Sequence, residues 1–569
     1  MSEFSYMCVP RTIPYKYKTI TQVFREITTS FPNKEIIINR GIEGNRESLT
    51  CRQLQSQATK LAGYLVMKGI KKGDKIALSG PNTLEWVIAE LAIIMAGAVV
   101  VHTSFSNTDA RDVYEIVSIA ECKAFLIDPG RKDEYVDMIL QLIALVRRQH
   151  PSKDGTEEGL DDLPLVLLRK SEHLTSYGDL PGILQLNESD VEFPTLYPED
   201  EIAIFTTSGS TGKPKMIPKT HFHATNNHMI FPGKTYNDRP FGWAAGSPIF
   251  TVCQGEPRVF CDSSVATEGH NTMKIWDVIK EEQCTSALLL PYFLLDLVAH
   301  ENNYKDPFKL DVVITTGQPI NNLHTKVAGI FTNTLKFGYG STETYWNSVL
   351  SPIDTAGKIK AGDVGTPLPG VEIKIIDIDG NVLRKGENGE LCLRSVCGFE
   401  KYYQNTDLTD EVLLPGKWFR SGDIAQINEH DHIIIKGRSK DCISRGTRKI
   451  LPSSIEEIVI TKNGIKNVFV VGVPDKRLYE EICVCYVTDP RYEISPTDIK
   501  QFCMEKFVGH DAIDGLGEMP KYFLRFHSLP MLDNGKIDKR QLRTNAIQQL
   551  GLTDQMEGEL LISNATTER

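Results

Sequence analysis

The sequence predicts an α/β protein with a large N-terminal domain of stacked α/β sheet layers and a small α+β C-terminal domain. Its 569 residues exceed what one ordinary hydrophobic core accommodates. Short apolar runs alternate with helical segments in the first part, which is typical of parallel α/β layers. From about Gly437 onward the pattern changes to a compact α+β unit. We therefore expect one domain over residues 1–436 and a second over residues 437–569.

The N-terminal alternation begins after Gly73. Its predicted elements are a strand at Lys75–Ser79, a helix at Leu84–Met95, a strand at Ala98–His102, a helix at Asp109–Ala120 and a strand at Ala124–Ile127. The longest apolar run, Trp86–Val101, contains Glu90 and is too short for a membrane span. We therefore predict a buried helix and strand there, and no transmembrane segment. Residues 148–162 are polar and predict a surface loop before a strand at Leu165–Leu168.

The C-terminal unit mixes helices and strands. Its predicted elements are a helix at Ser453–Thr461, strands at Asn467–Val473 and Ile482–Val487, a helix at Thr497–Lys506, a strand at Tyr522–Phe526 and a helix at Lys539–Leu550. Cys483 and Cys485 alternate on one of these strands, as small core residues do. The polar end of the chain predicts fraying.

Composition limits the kinds of molecule that the protein is expected to bind and the cellular compartment in which it is expected to act. The net charge is −11 at pH 7, which argues against binding nucleic acid or anionic lipid by bulk electrostatics. The 12 cysteines form no C-x-x-C pair, so we expect free thiols in a reducing compartment. Met1–Pro10 lacks the apolar core of a secretory signal, which favours the cytoplasm. The basic residues Arg11, Lys16, Lys18 and Arg25 keep a mitochondrial presequence as the alternative.

The most informative stretch is a loop rich in glycine, hydroxyl and lysine side chains. It consists of Thr207, Ser208, Gly209, Ser210, Thr211, Gly212, Lys213, Pro214 and Lys215. Glycine lets backbone N–H groups approach a phosphate, and hydroxyls and lysines add donors and positive charge. The apolar run Ile202–Phe205 precedes it, so the loop leaves the end of a strand, where open α/β sheets place ligands. The spacing is not that of a Walker A motif.

This loop resembles the nucleotide loop of the adenylate-forming, or AMP-binding, superfamily, whose pattern is [ST]-S-G-[ST]-T-G-x-P-K. That group comprises acyl- and aryl-CoA synthetases, adenylation domains of peptide synthetases and beetle-type luciferases. The resemblance covers roughly residues 50–545 and is greatest to medium-chain acyl-CoA synthetases. It implies that the loop binds the ATP phosphates.

Further motifs of the same family follow in the family's order. Tyr339 to Glu343 matches Y-G-x-T-E. The resemblance implies that Tyr339 stacks on adenine, Thr342 donates to the α-phosphate and Glu343 holds Mg²⁺, a hard cation that prefers carboxylate oxygens. Upstream, Gly317 lies in a turn that resembles the adenine-side turn of the family.

Trp418 to Asp423 resembles W-[YF]-R-[ST]-G-D, and its Ser-Gly-Asp end predicts a turn at Asp423. The resemblance implies that Asp423 accepts hydrogen bonds from the ribose hydroxyls. The next motif begins at Gly437 and implies that Arg438 contacts ribose or phosphate. Lys440 matches the hinge position about which the small C-terminal domain is mobile. Pro530 to Lys536 resembles P-x-T-x-x-G-K, with Leu532 in place of threonine. The resemblance implies that Lys536 brings a carboxylate to the α-phosphate and stabilises the transition state.

One departure concerns the segment after the hinge. Related synthetases carry Gly-Gly-Glu-Asn where this chain has Gly446-Thr447-Arg448-Lys449. That loop approaches the pantetheine channel in the family, so the identity of the second acceptor, CoA or O₂, stays open. Arg445, Arg448 and Lys449 either meet CoA phosphates or form an ordinary basic surface.

The resemblance implies an AMP-forming acid–thiol ligase that uses ATP, Mg²⁺ and CoA. An acyl-adenylate forms first and a thioester second. The expected acid pocket is apolar, which suits a medium-chain fatty or aromatic acid; its aromatic residues are Phe231, Trp243, Phe250, Tyr345 and Trp346. The alternatives are a luciferase-type adenylating oxygenase and a non-catalytic nucleotide-binding homologue. The oligomeric state stays open.

Overall fold

The structure is a computed structural model. It describes residues 3–41, 44–103, 110–149, 165–186, 191–207, 214–226, 232–261, 272–301, 307–317, 324–345, 349–353, 362–446, 448–507, 517–532 and 536–552. The polar segment predicted over residues 148–162 and the polar end of the chain therefore lie almost entirely outside the described residues.

Strands occur throughout the described chain. They are β1 (Tyr6–Cys8), β2 (Glu35–Arg40), β3 (Arg46–Thr50), β4 (Lys75–Ser79), β5 (Val99–His102), β6 (Ala124–Ile127), β7 (Leu165–Leu167), β8 (Gly178–Asp179), β9 (Glu201–Thr207), β10 (Lys215–Thr220), β11 (Thr235–Tyr236), β12 (Arg258–Cys261), β13 (Ser286–Leu288), β14 (Leu310–Thr316), β15 (Thr332–Tyr339), β16 (Val349–Ile353), β17 (Thr366–Pro367), β18 (Val371–Ile376), β19 (Gly389–Ser395), β20 (Leu413–Leu414), β21 (Trp418–Ile427), β22 (Ile433–Arg438), β23 (Ile443–Arg445), β24 (Arg448–Ile450), β25 (Ile465–Asp475), β26 (Tyr479–Thr488) and β27 (Tyr522–Arg525).

Helices alternate with these strands. They are α1 (Ile20–Ser30), α2 (Cys51–Met67), α3 (Leu84–Met95), α4 (Ala110–Ala120), α5 (Val136–Gln149), α6 (Leu180–Leu184), α7 (His221–Thr225), α8 (Ile249–Gln254), α9 (Thr272–Glu281), α10 (Pro291–Ala299), α11 (Thr406–Val412), α12 (Pro452–Val459), α13 (Pro496–Lys506) and α14 (Lys539–Leu550). Short 3₁₀ helices lie at His324–Val327 and Ser439–Asp441.

Two large sheets form the layered part of the N-terminal region. One has the order β10-β9-β5-β4-β6-β7-β8 and is parallel except where β10 pairs antiparallel with β9. The other has the order β17-β16-β15-β14-β13-β11-β12-β2-β3, with a parallel centre and antiparallel edges. Because helices cover the parallel strands, their residues are apolar on both faces.

Two smaller sheets complete the chain. Strands β1, β18, β19, β21, β20 and β22 form an antiparallel sheet that extends to Arg438. Strands β24, β23, β26, β25 and β27 form the last sheet, against which α12, α13 and α14 lie. This arrangement confirms the predicted fold class, a large α/β N-terminal domain followed by a smaller α+β C-terminal domain.

The predicted N-terminal elements are confirmed to within a residue or two. Helix α3 has the predicted bounds and is buried on nearly every side. Its one buried carboxyl group, Glu90, accepts from Ser247 Oγ at 3.2 Å and lies 2.7 Å from His102 Nε2, so its polar atoms have partners inside the core. No helix within the described residues is long and apolar enough to cross a membrane.

The C-terminal elements also match the prediction, although β25 and β26 extend beyond the predicted strands. Cys483 and Cys485 are buried on β26, as the alternation predicted. Every cysteine of the chain is a free thiol.

Candidate active site

The glycine-rich loop connects β9 and β10. Thr207, at the end of β9, pairs with Lys215, at the start of β10, so the loop leaves a strand end as predicted and returns as an antiparallel hairpin. The other proposed phosphate-binding residues lie outside the described residues: Ser208, Gly209, Ser210, Thr211, Gly212 and Lys213. The Lys215 amine lies 5.1 Å from the ring centroid of Tyr402.

The proposed adenine side lies at the carboxyl ends of two parallel strands. Thr316 on β14 pairs with Gly338 on β15, and the Thr316 hydroxyl donates to the Gly338 carbonyl at 2.7 Å. Gly317 follows directly with a φ of 87°, a conformation that favours glycine, and Tyr339 ends β15. Parallel strands place ligands at this edge, so Gly317 and Tyr339 are well located for a nucleotide.

Asp423 links this edge to the antiparallel sheet. The Tyr339 hydroxyl donates to Asp423 Oδ2, and Arg438 Nε lies 2.8 Å from Asp423 Oδ1. Arg438 Nη1 also donates to the Ser421 carbonyl at 2.9 Å. The sequence predicted that Asp423 lies in a turn, and this is wrong. It lies within β21, beside Gly422, whose φ is 71°, where the pairing with β19 is irregular.

Lys536 joins the same cluster from the far end of the chain. Its backbone carbonyl accepts from the Leu532 N–H at 2.7 Å. Burial lowers the pKa of the Lys536 amine, and the nearby Arg438 charge lowers it further, while Asp423 opposes both. Burial likewise raises the pKa of Asp423 against the opposing effects of Arg438, Tyr339 and Lys536. The two groups therefore feel each other's charge.

Contacts at the predicted hinge hold the C-terminal region in this position. Lys539 Nζ lies 3.0 Å from Asp441 Oδ2, next to Lys440, and the Ser453 hydroxyl donates to the Lys436 carbonyl. The short 3₁₀ helix Ser439–Asp441 contains Lys440 and separates the last strand of the antiparallel sheet from β23.

Glu343 is held from two sides. The Tyr402 hydroxyl donates to Glu343 Oε1 at 2.8 Å, and Lys219 Nζ donates to the Glu343 carbonyl at 2.9 Å. Thr342 precedes Glu343 and is half-buried. Sequence reasoning missed Lys219 and Tyr402. The only signal for Lys219 was a lysine inside the strand Lys215–Thr220, and nothing local connects Tyr402 with Glu343.

The donor set at Glu343 fits Mg²⁺ that arrives with a nucleotide. Among the described residues no group of three or more His, Cys, Asp or Glu side chains could hold a metal. Mg²⁺ commonly uses one or two carboxylates, water and substrate phosphates, so one placed carboxylate suffices.

Aromatic side chains lie beside the Glu343 segment. The rings of Phe250 and Tyr345 are 5.2 Å apart in an edge-to-face arrangement, and both side chains are buried. Trp243 is partly exposed in the segment before α8. The other two predicted pocket residues, Phe231 and Trp346, lie outside the described residues.

The hairpin after the hinge separates the three basic residues considered for CoA. Arg445 is buried and its Nε lies 3.0 Å from Glu481 Oε2, so it supports the small sheet and is not placed to meet a phosphate. Gly446 turns the chain with a φ of 61°. Arg448 and Lys449 follow on β24 and are exposed.

The comparison with known protein families identifies the chain. The model of the AMP-binding enzyme family matches residues 24–403, which include Glu343 and the glycine-rich loop. The chain belongs to the family of AMP-binding enzymes. The model of the AMP-binding enzyme C-terminal domain matches residues 454–536 and ends at Lys536. The predicted superfamily is thereby confirmed.

Curated relatives match nearly the whole chain. The medium-chain acyl-CoA ligase ACSF2 of Danio rerio, named as mitochondrial, is 29% identical over 95% of this chain and 90% of its own length. Its Homo sapiens counterpart is 28% identical over 94% and 88%. The putative acyl-CoA synthetase YngI of Bacillus subtilis is 26% identical over 94% and 98%. The predicted enzyme class, an AMP-forming acid–thiol ligase, is confirmed at the level of this family.

Solved structures share the fold. The anthranilate CoA ligase AuaEII in complex with anthranoyl-AMP has a TM-score of 0.75 at 19% identity and covers 94% of this chain and 98% of its own. McyG A-PCP, complexed with phenylalanyl-adenylate, has a TM-score of 0.76 at 18% identity and covers 99% and 88%.

Proposed function

We propose that this AMP-binding enzyme is an ATP-dependent carboxylate–CoA ligase for a medium-chain fatty or aromatic acid. The observation that carries the proposal is the cluster of Tyr339, Asp423, Arg438 and Lys536. There the Asp423 carboxylate is bonded to Tyr339 and Arg438, and it shares one electrostatic environment with a lysine from near the end of the chain.

In the first half-reaction the carboxylate of the acid attacks the α-phosphorus of ATP in line. Pyrophosphate leaves and an acyl-adenylate forms, with no protein nucleophile. Asp423 accepts hydrogen bonds from the ribose hydroxyls, and Arg438 holds Asp423 and faces ribose or phosphate. Lys536 brings two mutually repelling anions together and stabilises the charge that develops between them.

The remaining groups bind and orient the nucleotide. Tyr339 and Gly317 contact the adenine, and Thr342 donates a hydrogen bond to the α-phosphate. The glycine-rich loop, Thr207 through Lys213 with Lys215, binds the phosphates. Glu343 is the carboxylate that would hold Mg²⁺, which supplies charge neutralisation on the ATP phosphates.

In the second half-reaction the small domain, residues 437–569, turns about Lys440 and withdraws Lys536. The thiol of CoA then attacks the acyl carbonyl, so that a thioester forms and AMP leaves. Arg448 and Lys449 are exposed and would meet the CoA phosphates, whereas Arg445 is buried against Glu481.

The acid is inferred from the pocket and from relatives. Buried Phe250 and Tyr345 favour an apolar acyl group. Relatives named as medium-chain acyl-CoA ligases support the fatty acid. The anthranilate CoA ligase that shares this fold supports an aromatic acid as the other candidate.

Acid-dependent ATP–pyrophosphate exchange over a library of carboxylic acids tests the proposal. We expect exchange with acids of medium chain length or with aryl acids, followed by AMP and thioester formation once CoA is added. Exchange without thioester formation, together with oxygen uptake, would favour the oxygenase alternative. Absence of exchange with every acid would favour the non-catalytic alternative.

We also propose that the protein acts in a reducing compartment, because its cysteines are free and mostly buried. The cytoplasm is the first expectation, and the mitochondrial names of the relatives favour the alternative. Imaging of a C-terminally tagged chain with a mitochondrial marker distinguishes the two.

A further inference from the structure

Strand β10 begins at the phosphate loop and presents one face to Glu343. Side chains at alternate positions of a strand share a face, which places Lys215, Ile217 and Lys219 together. Ile217 is buried against Tyr402 and Phe419. The intervening Met216 packs on the opposite face, against the parallel sheet. This face of β10 therefore spans from the end of the phosphate loop to the Glu343 segment.

Lys219 is an unusual residue for such a strand, because it is only 1% exposed. Its amine donates to the Glu343 carbonyl at 2.9 Å and lies 4.2 Å from the ring centroid of Tyr345. Within the described part of the chain no carboxylate lies at ion-pair distance from it. Burying an amine without an ionic partner is costly. Because burying the Lys219 amine costs free energy, we infer that its contact with Glu343 has a role beyond packing.

Tyr402 approaches Glu343 from the other side. Its hydroxyl donates to Glu343 Oε1 at 2.8 Å, while its ring lies against the Lys215 amine. The Tyr402 N–H donates to Thr409 Oγ1 at 2.9 Å, and the next residue, Tyr403, donates its N–H to the Met216 carbonyl at 2.8 Å. The segment that carries Tyr402 is thus fastened to β10.

We propose that Lys219 and Tyr402 are positioning residues that hold the Glu343 carboxylate in register with β10, the strand that follows the phosphate loop. Lys219 fixes the backbone of Glu343, and Tyr402 fixes its carboxylate. The inference rests on the proposed role of Glu343 in binding Mg²⁺ with ATP. Such preorganisation lets a single carboxylate meet the metal without reorganisation when the nucleotide arrives.

The test measures ATP binding by calorimetry on the full chain, once with Mg²⁺ and once in EDTA. The ratio of the two affinities isolates the contribution of the metal from that of the nucleotide. We expect Tyr402→Phe to reduce this ratio about tenfold, the value of one hydrogen bond to a charged group, and to leave metal-free ATP binding unchanged. Lys219→Met should change the ratio in the same direction.

Tyr403→Phe is the matched control, because it removes the same hydroxyl from the adjacent residue, and it should leave the ratio unchanged. A combined Tyr402→Phe and Glu343→Gln variant should show the same ratio as Glu343→Gln alone, because both changes act through one carboxylate.

If Lys219→Met does not fold, because the substituted position is buried, the ratio measured in Tyr402→Phe tests the positioning role by itself. A ratio unchanged in Tyr402→Phe, or equal losses with and without Mg²⁺, would overturn the inference. Acid-dependent exchange by the unmodified chain separates this failure from failure of the proposed function. Exchange with an unchanged ratio rejects the positioning role alone, and no exchange with any acid rejects both.

Discussion

Arg438 and Asp423 are paired residues on neighbouring antiparallel strands, and their side chains form an ion pair with 2.8 Å between Nε and Oδ1. Arg438 ends the last strand before the predicted hinge. The charges of both residues act on Lys536: Arg438 lowers the pKa of its amine and Asp423 raises it. A nucleotide bound at Asp423 would therefore lie between the large domain and the lysine of the small domain.

Lys536→Ala should abolish adenylation, because the charge of this amine is coupled to Asp423 and Arg438 at the proposed nucleotide site. Thioester formation from supplied acyl-adenylate and CoA should be largely retained, since the proposed mechanism withdraws Lys536 in that step. Pyrophosphate exchange and thioester formation, measured separately, check the prediction. Lys521→Ala is a control within the small domain, because Lys521 pairs with Asp475. Equal loss of both steps would show that the assigned role is wrong.

The alkaline limb of kcat/KM for adenylation should occur below the ordinary lysine pKa of 10.5, because burial and Arg438 lower the pKa of Lys536. The protonated amine is the active form, so the rate falls as the pH rises through that lowered pKa. In Lys536→Arg the limb should move to higher pH, because a guanidinium stays charged. A limb that stays at the same pH in this variant would assign it to another group.

Asp423→Asn should raise the KM for ATP by about tenfold or more, because a charged acceptor for two ribose hydroxyls becomes a neutral one. The unmodified enzyme should discriminate against 2′-deoxy-ATP, and the variant should discriminate much less. Steady-state exchange with both nucleotides measures this. Asp377→Asn is a control on an exposed turn. Unchanged discrimination in Asp423→Asn would remove the ribose from its assigned partner.

Acid should destabilise the fold through His221. Burial lowers the pKa of this imidazole from 6.5 to about 4, and its Nδ1 accepts from the Ile20 N–H at 3.1 Å. The unfolded chain binds the proton more readily, so this stability is present above pH 6.5 and is lost progressively as the pH falls towards 4. The full difference amounts to about 3 kcal/mol.

Denaturant unfolding measured between pH 7 and pH 4 checks this prediction. His221→Asn, whose amide oxygen can accept from Ile20, should show a weaker decline of the unfolding free energy than the unmodified chain. An identical decline in both would assign the acid sensitivity elsewhere, with buried His223 as the next candidate, since burial lowers its pKa to about 3.

Local pattern sufficed for the helices and for most strands. Helix α3 and helix α14 have the predicted bounds, because apolar spacing and chain breakers define a helix within a few turns. The position of Asp423 was not predictable in this way. A glycine and a serine beside an aspartate indicate a turn. Here they lie instead at a register irregularity within the long strand β21, which pairs with β19 on one side and β22 on the other.

Some residues of the candidate site were predicted from the sequence and others were not. Short motifs of the adenylate-forming family predicted roles for Glu343, Asp423, Arg438 and Lys536, because each motif can be recognised locally along the chain. Lys219 and Tyr402 were missed, because each contacts Glu343 across a long separation in sequence and neither belongs to a motif. Arg445 was grouped with exposed basic residues, although its pairing with Glu481 buries it.

The sequence by itself determined the layered fold class, because alternating strands and helices are a local pattern. Through its resemblance to known motifs it also indicated the family and the residue types available to a nucleotide. Only the tertiary structure decided which side chains meet: the lysine near the C-terminus with the Asp423–Arg438 pair, and a buried amine with the backbone of Glu343. The physical reason is that such groups lie on segments far apart in the chain, and packing between sheets, rather than any local preference, brings them near each other.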